Sequence, residues 1–367
     1  MSEKSKKYQR DRLLLKISET AFTFLFLLLL IFSPFSVAVR NFAVGISDNP
    51  VAQIIIFALF AGILKTILFL PIDFAEGFAV EKKYGLSNET VSGWLRKSVK
   101  GLLINTVLSC ILLVIIFSIL KFSPRYWWIL SSGAVLFLSL ILAAAAPVII
   151  FPLFYKFLPV ERPGLEDKLR LEMNKEGLNV KDILTFDMSR ETKKANAALA
   201  GLGKTKRIII SDTLLNNFTD DEITAVFRHE LGHHKFFHLP KLALAGFFLT
   251  VLSLYAGEIS QKAALIYFPH LYGRLDPAAL PALLFGVYTA GVLLKPLSNY
   301  YSRLLERQAD LFSFESADTA RHFISAMEKL TNMNLADPEP GRTEKILFYT
   351  HPPTGERIKE AEKHVEN

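Results

Sequence analysis

The sequence predicts a mainly α, polytopic helical membrane protein with a soluble α+β segment on the side where its basic residues collect. Three observations predict it. Of the 367 residues, 51% are hydrophobic and mean hydropathy is positive, at +0.31. Six apolar runs approach the roughly 20 residues needed to cross a bilayer core. Lys and Arg are dense in one connecting segment and sparse in the next, as expected when positive loops stay on the cytoplasmic side. Such a composition excludes a disordered chain. With 19 Gly and one Cys, collagen-like and disulfide-framework proteins are excluded too.

The runs cover residues 21–39, 52–72, 102–120, 127–149, 243–261 and 279–297. Lys4, Lys6, Lys7, Arg10, Arg12 and Lys16 precede the first, and Arg40 alone follows it. Lys82, Lys83, Arg96, Lys97 and Lys100 follow the second, then Lys121 and Arg125 the third. This alternation assigns both termini and residues 150–242 and 298–367 to the cytoplasm, at a bacterial plasma membrane or an endoplasmic reticulum. The expected organisation is a four-span region (1–149), a cytoplasmic segment (150–242), a two-span region (243–297) and a C-terminal cytoplasmic segment (298–367). The net charge of +7 then belongs to membrane flanks, and the expected partner is the lipid bilayer, with no nucleic acid. The basic start and Ser36-Val37-Ala38 also have the order of a signal peptide, but the first run reaches full span length and reads as a span. Trp127 and Trp128 open the fourth run where an interfacial aromatic belt belongs, Cys110 reads as a packing residue, and Lys65 as a snorkelling lysine.

Residues 150–242 change character. Pro147, Pro152, Pro159 and Pro163 mark the exit, and a charged helical pattern follows at 164–177. Short β-rich runs at 183–186, 196–202 and 207–210 come next, the last two punctuated by Gly201 and Gly203 as a hairpin. Thr219-Asp220-Asp221-Glu222 is a capping box, with Phe218 and Ile223 as its hydrophobic staple. A helix is therefore expected over 220–238.

That helix carries His229-Glu230-Leu231-Gly232-His233. Residues i and i+4 lie one turn apart on one face, so both imidazoles can reach one Zn²⁺. Glu230 stands beside them as a candidate general base for water activated by the metal. Two histidines leave a tetrahedral zinc short of a protein ligand. A third His six residues on is absent, because position 239 is Leu and position 236 is Phe. His238 reads as a polar residue favoured at the helix end by the dipole. After the sixth run, Glu306 and Asp310 are again i and i+4. One carboxylate can ligate while the other accepts the second N–H of a ligating imidazole. Flanked by Arg303 and Arg307, the pair also fits a solvated charged face, and spacing leaves both readings open.

Four blocks stand out together: Glu81-Lys82-Lys83-Tyr84-Gly85; Asn196-Ala197 with Lys206-Arg207-Ile208-Ile209 and Asp212-Thr213-Leu214-Leu215; His229 to His233 with His238; and Ser302-Arg303, Glu306, Ala309-Asp310 with His351-Pro352-Pro353, Glu356-Arg357. With them the chain resembles the zinc-dependent CAAX prenyl proteases of type 1 and, more distantly, the HtpX-type membrane proteases. The resemblance implies a zincin-like metalloprotease domain with Glu306 as third zinc ligand and Asp310 as a supporting carboxylate behind the ligands. It implies that Asn196 and Ala197 line the cleft on an edge strand that takes up an extended peptide, and that His351 and Arg357 face the site and stabilise the oxyanion. His351-Pro352-Pro353 also fits a plain helix start. The chain departs from the eukaryotic members in having six spans where they have seven.

The expected function is that of a membrane zinc metalloendopeptidase with one Zn²⁺ per chain, acting on membrane-associated or prenylated CAAX-type polypeptides. Degradation of damaged membrane proteins is the alternative within the class. A zinc-binding membrane protein without catalysis is the alternative outside it.

Overall fold

A computed structural model describes residues 3–366, so positions 1, 2 and 367 of the outer expected segments lie outside it. Six helices among the described residues are long and apolar enough to cross a membrane. The first, α1 (Glu3–Phe32), stops earlier than its apolar run, and a separate helix, α2 (Phe35–Ile46), takes up the rest. The cause is Pro34, which cannot donate a helical N–H and crowds the preceding turn. Arg40 consequently sits on α2 and not in an outer loop. It is 3% exposed and pairs with Asp276 at 2.9 Å.

Helix α3 (Pro50–Phe74) starts at the Asn49 cap and runs through a π turn (Ala75–Ala79) into α4 (Val80–Lys83). Helix α5 (Val91–Phe122) is capped by Thr90. Helix α6 (Trp127–Ala145) loosens into a π turn at Pro147. Trp127 is not a belt residue. It is fully buried, and its Nε1 donates to Glu258 Oε2 at 2.7 Å, since a buried indole N–H needs an acceptor.

The soluble part holds a four-stranded sheet of order β1-β2-β4-β3: β1 (Phe157–Pro159), β2 (Asp182–Phe186), β3 (Ala197–Ala200) and β4 (Arg207–Ser211). β2 and β4 run parallel, the β3–β4 hairpin is antiparallel, and β3 is an edge. Helix α7 (Pro163–Lys175) and the short α8 (Asp212–Asn217) flank the sheet. Helix α9 (Asp220–Lys235) has the expected capping box, and Phe218 and Ile223 are both buried. It ends three residues before the expected 238, where Phe237 takes a left-handed φ of 54°, and His238 opens α10 (His238–Tyr267).

Helix α11 (Leu280–Ser313) is unbroken across 297/298. At 1.5 Å per residue its 34 residues span about 50 Å, more than the bilayer core. It therefore leaves the bundle and enters the soluble part. Helices α12 (Ala317–Met333), α13 (Arg342–Phe348) and α14 (Thr354–Glu366) complete the chain. One core joins the two soluble segments: Leu165, Leu169, Ile208, Ile210 and Leu231 pack with Phe323, Ala326 and Ala361.

Candidate active site

Helices α9 and α11 meet along a narrow seam. A Cβ on Gly232 would lie 2.9 Å from Ala309 Cα, so only glycine allows this approach. The contact brings His229 and His233 to Glu306. The two Nε2 atoms are 3.2 Å apart, and Glu306 lies 3.2 Å from His229 and 3.5 Å from His233. One ligand atom from each of the three residues falls within 4.8 Å of the others.

The proton inventory tests whether a cation fits there. His229 Nδ1 is 2.8 Å from Asp310 Oδ1, so this nitrogen carries the hydrogen and, in the neutral imidazole, Nε2 a lone pair. With Gln308 Oε1 accepting from His238 Nε2 at 3.0 Å, His238 Nδ1 is left to accept from His233 Nδ1 at 2.8 Å. His233 Nε2 then also presents a lone pair. Glu306 Oε2, buried and without a hydrogen-bond donor, faces the same point. With both imidazoles neutral, two lone pairs and a carboxylate oxygen converge on one point, which suits a divalent cation, and imidazole with carboxylate suits zinc. Burial opposes a proton on His229, but Asp310 and Glu306 outweigh it and raise its pKa to about 9. A metal must therefore displace that proton to bind.

Glu230 is half-buried and lines a cavity of about 260 Å³ together with His229, Asn196, Ala197, His351 and Arg357. β3 bounds it with an open edge. Asn196 directs its N–H to Ser211 Oγ and its C=O to Ser211 N–H. In an antiparallel ladder the direction alternates, so Ala197 turns its N–H and C=O to the open side. His351 Nε2 is 3.3 Å from Glu306 Oε1, and its imidazole is exposed. His351-Pro352-Pro353 does precede a helix, α14, so the plain reading of that motif holds as well. Arg357 makes a bidentate pair with Asp310, at 2.9 and 2.6 Å, and reaches within 3.4 Å of His229 Nδ1. Its guanidinium is committed to holding Asp310.

Two contributors were not assigned to the site from sequence. His238 is 1% exposed and sits behind His233, not at the end of the metal helix, because the chain reverses at Phe237. Its place beside the His229–His233 block was the available signal. Arg303, expected as a flanking charge, is 5% exposed. It donates to the carbonyls of Lys345 and Tyr349 and so fixes the segment leading to His351. His234 turns away, with Nδ1 3.2 Å from Lys206 Nζ.

Comparison with known proteins gives the family and the fold. Residues 2–156 match the family described as CAAX prenyl protease N-terminal, five membrane helices, and residues 161–365 match Peptidase family M48. The metalloprotease YhfN of Bacillus subtilis is 29% identical, over 85% of this chain and 74% of its own length. CAAX prenyl protease 1 of Saccharomyces cerevisiae is 28% identical, over 84% of this chain and 72% of its own. The crystal structure of S. mikatae Ste24p superposes with a TM-score of 0.77 at 23% identity, covering 89% of this chain and 80% of that one, which establishes a shared fold. With more than half of its length in the second match, the chain belongs to peptidase family M48, as a membrane-integral zinc metallopeptidase of the CAAX prenyl protease type.

Proposed function

We propose that the protein cleaves membrane-associated or prenylated CAAX-type polypeptides at the cytoplasmic interface, with His229, His233 and Glu306 holding one zinc per chain. The carrying observation is the placement of Glu230 in one cavity with His229, one of the three converging side chains, and with Asn196 and Ala197 at the open strand edge. Zinc, when bound, supplies a Lewis acid that polarises the scissile carbonyl and acidifies water. The peptide adds to β3 through the free N–H and C=O of Ala197, with Asn196 beside it. Glu230 takes the proton of the attacking water and returns it to the leaving amine. His351 donates toward the carbonyl oxygen as charge develops there. Arg357 acts through Asp310, keeping that carboxylate ionised and aimed at His229.

The prenylated substrate is supported by the curated relatives named CAAX prenyl protease 1. The interfacial placement is supported by α11, which carries Glu306 directly out of the bundle. The test is Glu230→Gln in detergent-solubilised protein, assayed on a farnesylated CAAX peptide and on the same peptide unmodified. Zinc content should be unchanged while hydrolysis falls about 10²- to 10⁴-fold, the usual contribution of a general base. Unchanged hydrolysis would overturn Glu230 as base. Equal rates on the two peptides would overturn the prenyl preference in favour of broader membrane-protein degradation.

A further inference from the structure

One sequence block has no role in the chemistry above: Glu81 to Gly85, at the end of the second span. Its carboxylate sits where three parts of the chain meet. Glu81 Oε1 accepts from the Tyr8 hydroxyl at 2.6 Å, and Oε2 pairs with Lys194 Nζ at 2.8 Å. Lys194 Nζ also donates to the Tyr8 oxygen at 2.9 Å, which closes a triangle. Arg12 Nη1 lies 3.7 Å from Glu81 Oε1, so two cations from different segments face this one carboxylate. The Glu81 carbonyl accepts from Leu86 N–H at 2.9 Å across the turn at Gly85.

The residues after that turn lie along 189–194. Ser87 and Thr192 form an antiparallel bridge. Leu86 C=O accepts from Lys193 N–H at 2.8 Å, and Asn88 N–H donates to Glu191 C=O at 2.9 Å. Tyr8, Tyr84 and Leu86 are buried together beneath this seam. The segment 189–194 runs straight into Asn196 and Ala197. From the soluble side, the same lead-in is held by Thr213 Oγ1 on the Lys194 carbonyl at 2.7 Å. The start of β3 is thus clamped between its own sheet and the membrane region, and on the membrane side two ion pairs hold the lead-in, Lys97 with Glu191 at 3.0 Å and, nearest to β3, Glu81 with Lys194.

We infer that Glu81 is a positioning residue for peptide binding, which through Lys194 sets where the open edge of β3 stands relative to the metal helix. The inference rests on the edge-strand reading of substrate uptake. A strand edge recruits peptide by main-chain hydrogen bonds, whose reach tolerates only tenths of an ångström. An unbalanced Lys194 beside Arg12 would draw the lead-in away. The loss should therefore fall on binding before chemistry, which places it in KM and leaves kcat.

The experiment measures KM, kcat, zinc content and thermal midpoint for Glu81→Gln, Lys194→Met and the double variant in the full-length protein. Glutamine keeps the shape and an acceptor for Tyr8 while removing the ion pair. KM should rise about tenfold in each single variant, with kcat within about twofold, as for lost uniform binding. The double variant should be no worse than either single one, as for two members of one contact. Zinc content should stay at the wild-type level. An unchanged KM, additive effects, or activity lost in proportion to zinc would each overturn the inference. If Glu81→Gln does not accumulate, Tyr8→Phe removes only one hydroxyl from the triangle and should still raise KM, about threefold, with zinc retained; a normal KM there overturns the inference as well. Ala197→Pro separates the two layers, since proline is tolerated at the first residue of an edge strand but lacks the N–H offered to substrate. A raised KM in Glu81→Gln with a normal KM in Ala197→Pro overturns the edge-strand reading. The reverse pattern overturns the role of Glu81.

Discussion

His233 is held by a relay of protons that starts two residues away from the metal-binding face of α11. Gln308 accepts from His238, His238 accepts from His233, and the remaining His233 nitrogen is left bare toward His229 and Glu306. The tautomer of a ligating imidazole is thereby fixed before any metal arrives. Asp310 does the same for His229 and is itself gripped by Arg357. His238→Ala should therefore weaken zinc binding about 10- to 100-fold, the usual cost of losing an outer partner of a metal-bound histidine. Competition against a chromophoric chelator measures it, and an unchanged affinity would show that the relay does not govern the metal. The histidine pair and the glutamate beside it were legible in sequence because i,i+4 spacing needs nothing beyond one helix. His238 was not, because its role depends on a reversal at Phe237 that no local pattern announces.

At the scale of elements, the seam between α9 and α11 decides whether the two ligand sources meet. Gly232 faces Ala309, which is fully buried. Gly232→Ala would gain about 1 kcal/mol of helix propensity. It would lose about 1–3 kcal/mol to overpacking, because the obstructing atoms are main chain and cannot turn aside. The prediction is a lower thermal midpoint together with reduced zinc retention on dialysis, the latter because separation of the helices moves Glu306 from the histidines. A variant as stable as the wild type with full zinc would show that the seam can widen without harm. Element ends were read well where side chains cap them, as at Thr219 and Glu222. They were misjudged where a proline or a chain reversal interrupts an apolar run, as at Pro34 and Phe237, because hydropathy does not distinguish one helix from two.

Across the whole molecule, the loops sort to two ends. Tyr8, Gln9, Glu81, Lys194 and Leu335 are joined at one end, while Arg40, Pro124, His270, Arg274 and Asp276 are joined at the other. The charge alternation assigns the first end to the cytoplasm. Single cysteines at Lys204 and Tyr272, in a Cys110→Ser background, test this in intact cells with a membrane-impermeant thiol reagent. Both positions are exposed. The cysteine at 272 should label, and the one at 204 only after permeabilisation; the opposite result would invert the orientation. The sequence by itself determined the number of spans, the sorting of the loops, the capped metal helix and the class of chemistry, because hydropathy, charge and helical spacing act over one or two turns. Only the tertiary structure decided that Glu306 and Asp310 face the histidines when their spacing equally suited a solvated surface, that His238 lies against His233 and Arg303 against the segment before His351, and that Glu81 pairs with Lys194 ahead of β3. Those outcomes depend on contacts between residues tens to hundreds of positions apart, set by helix packing and by a long α11 that carries its carboxylates out of the bilayer.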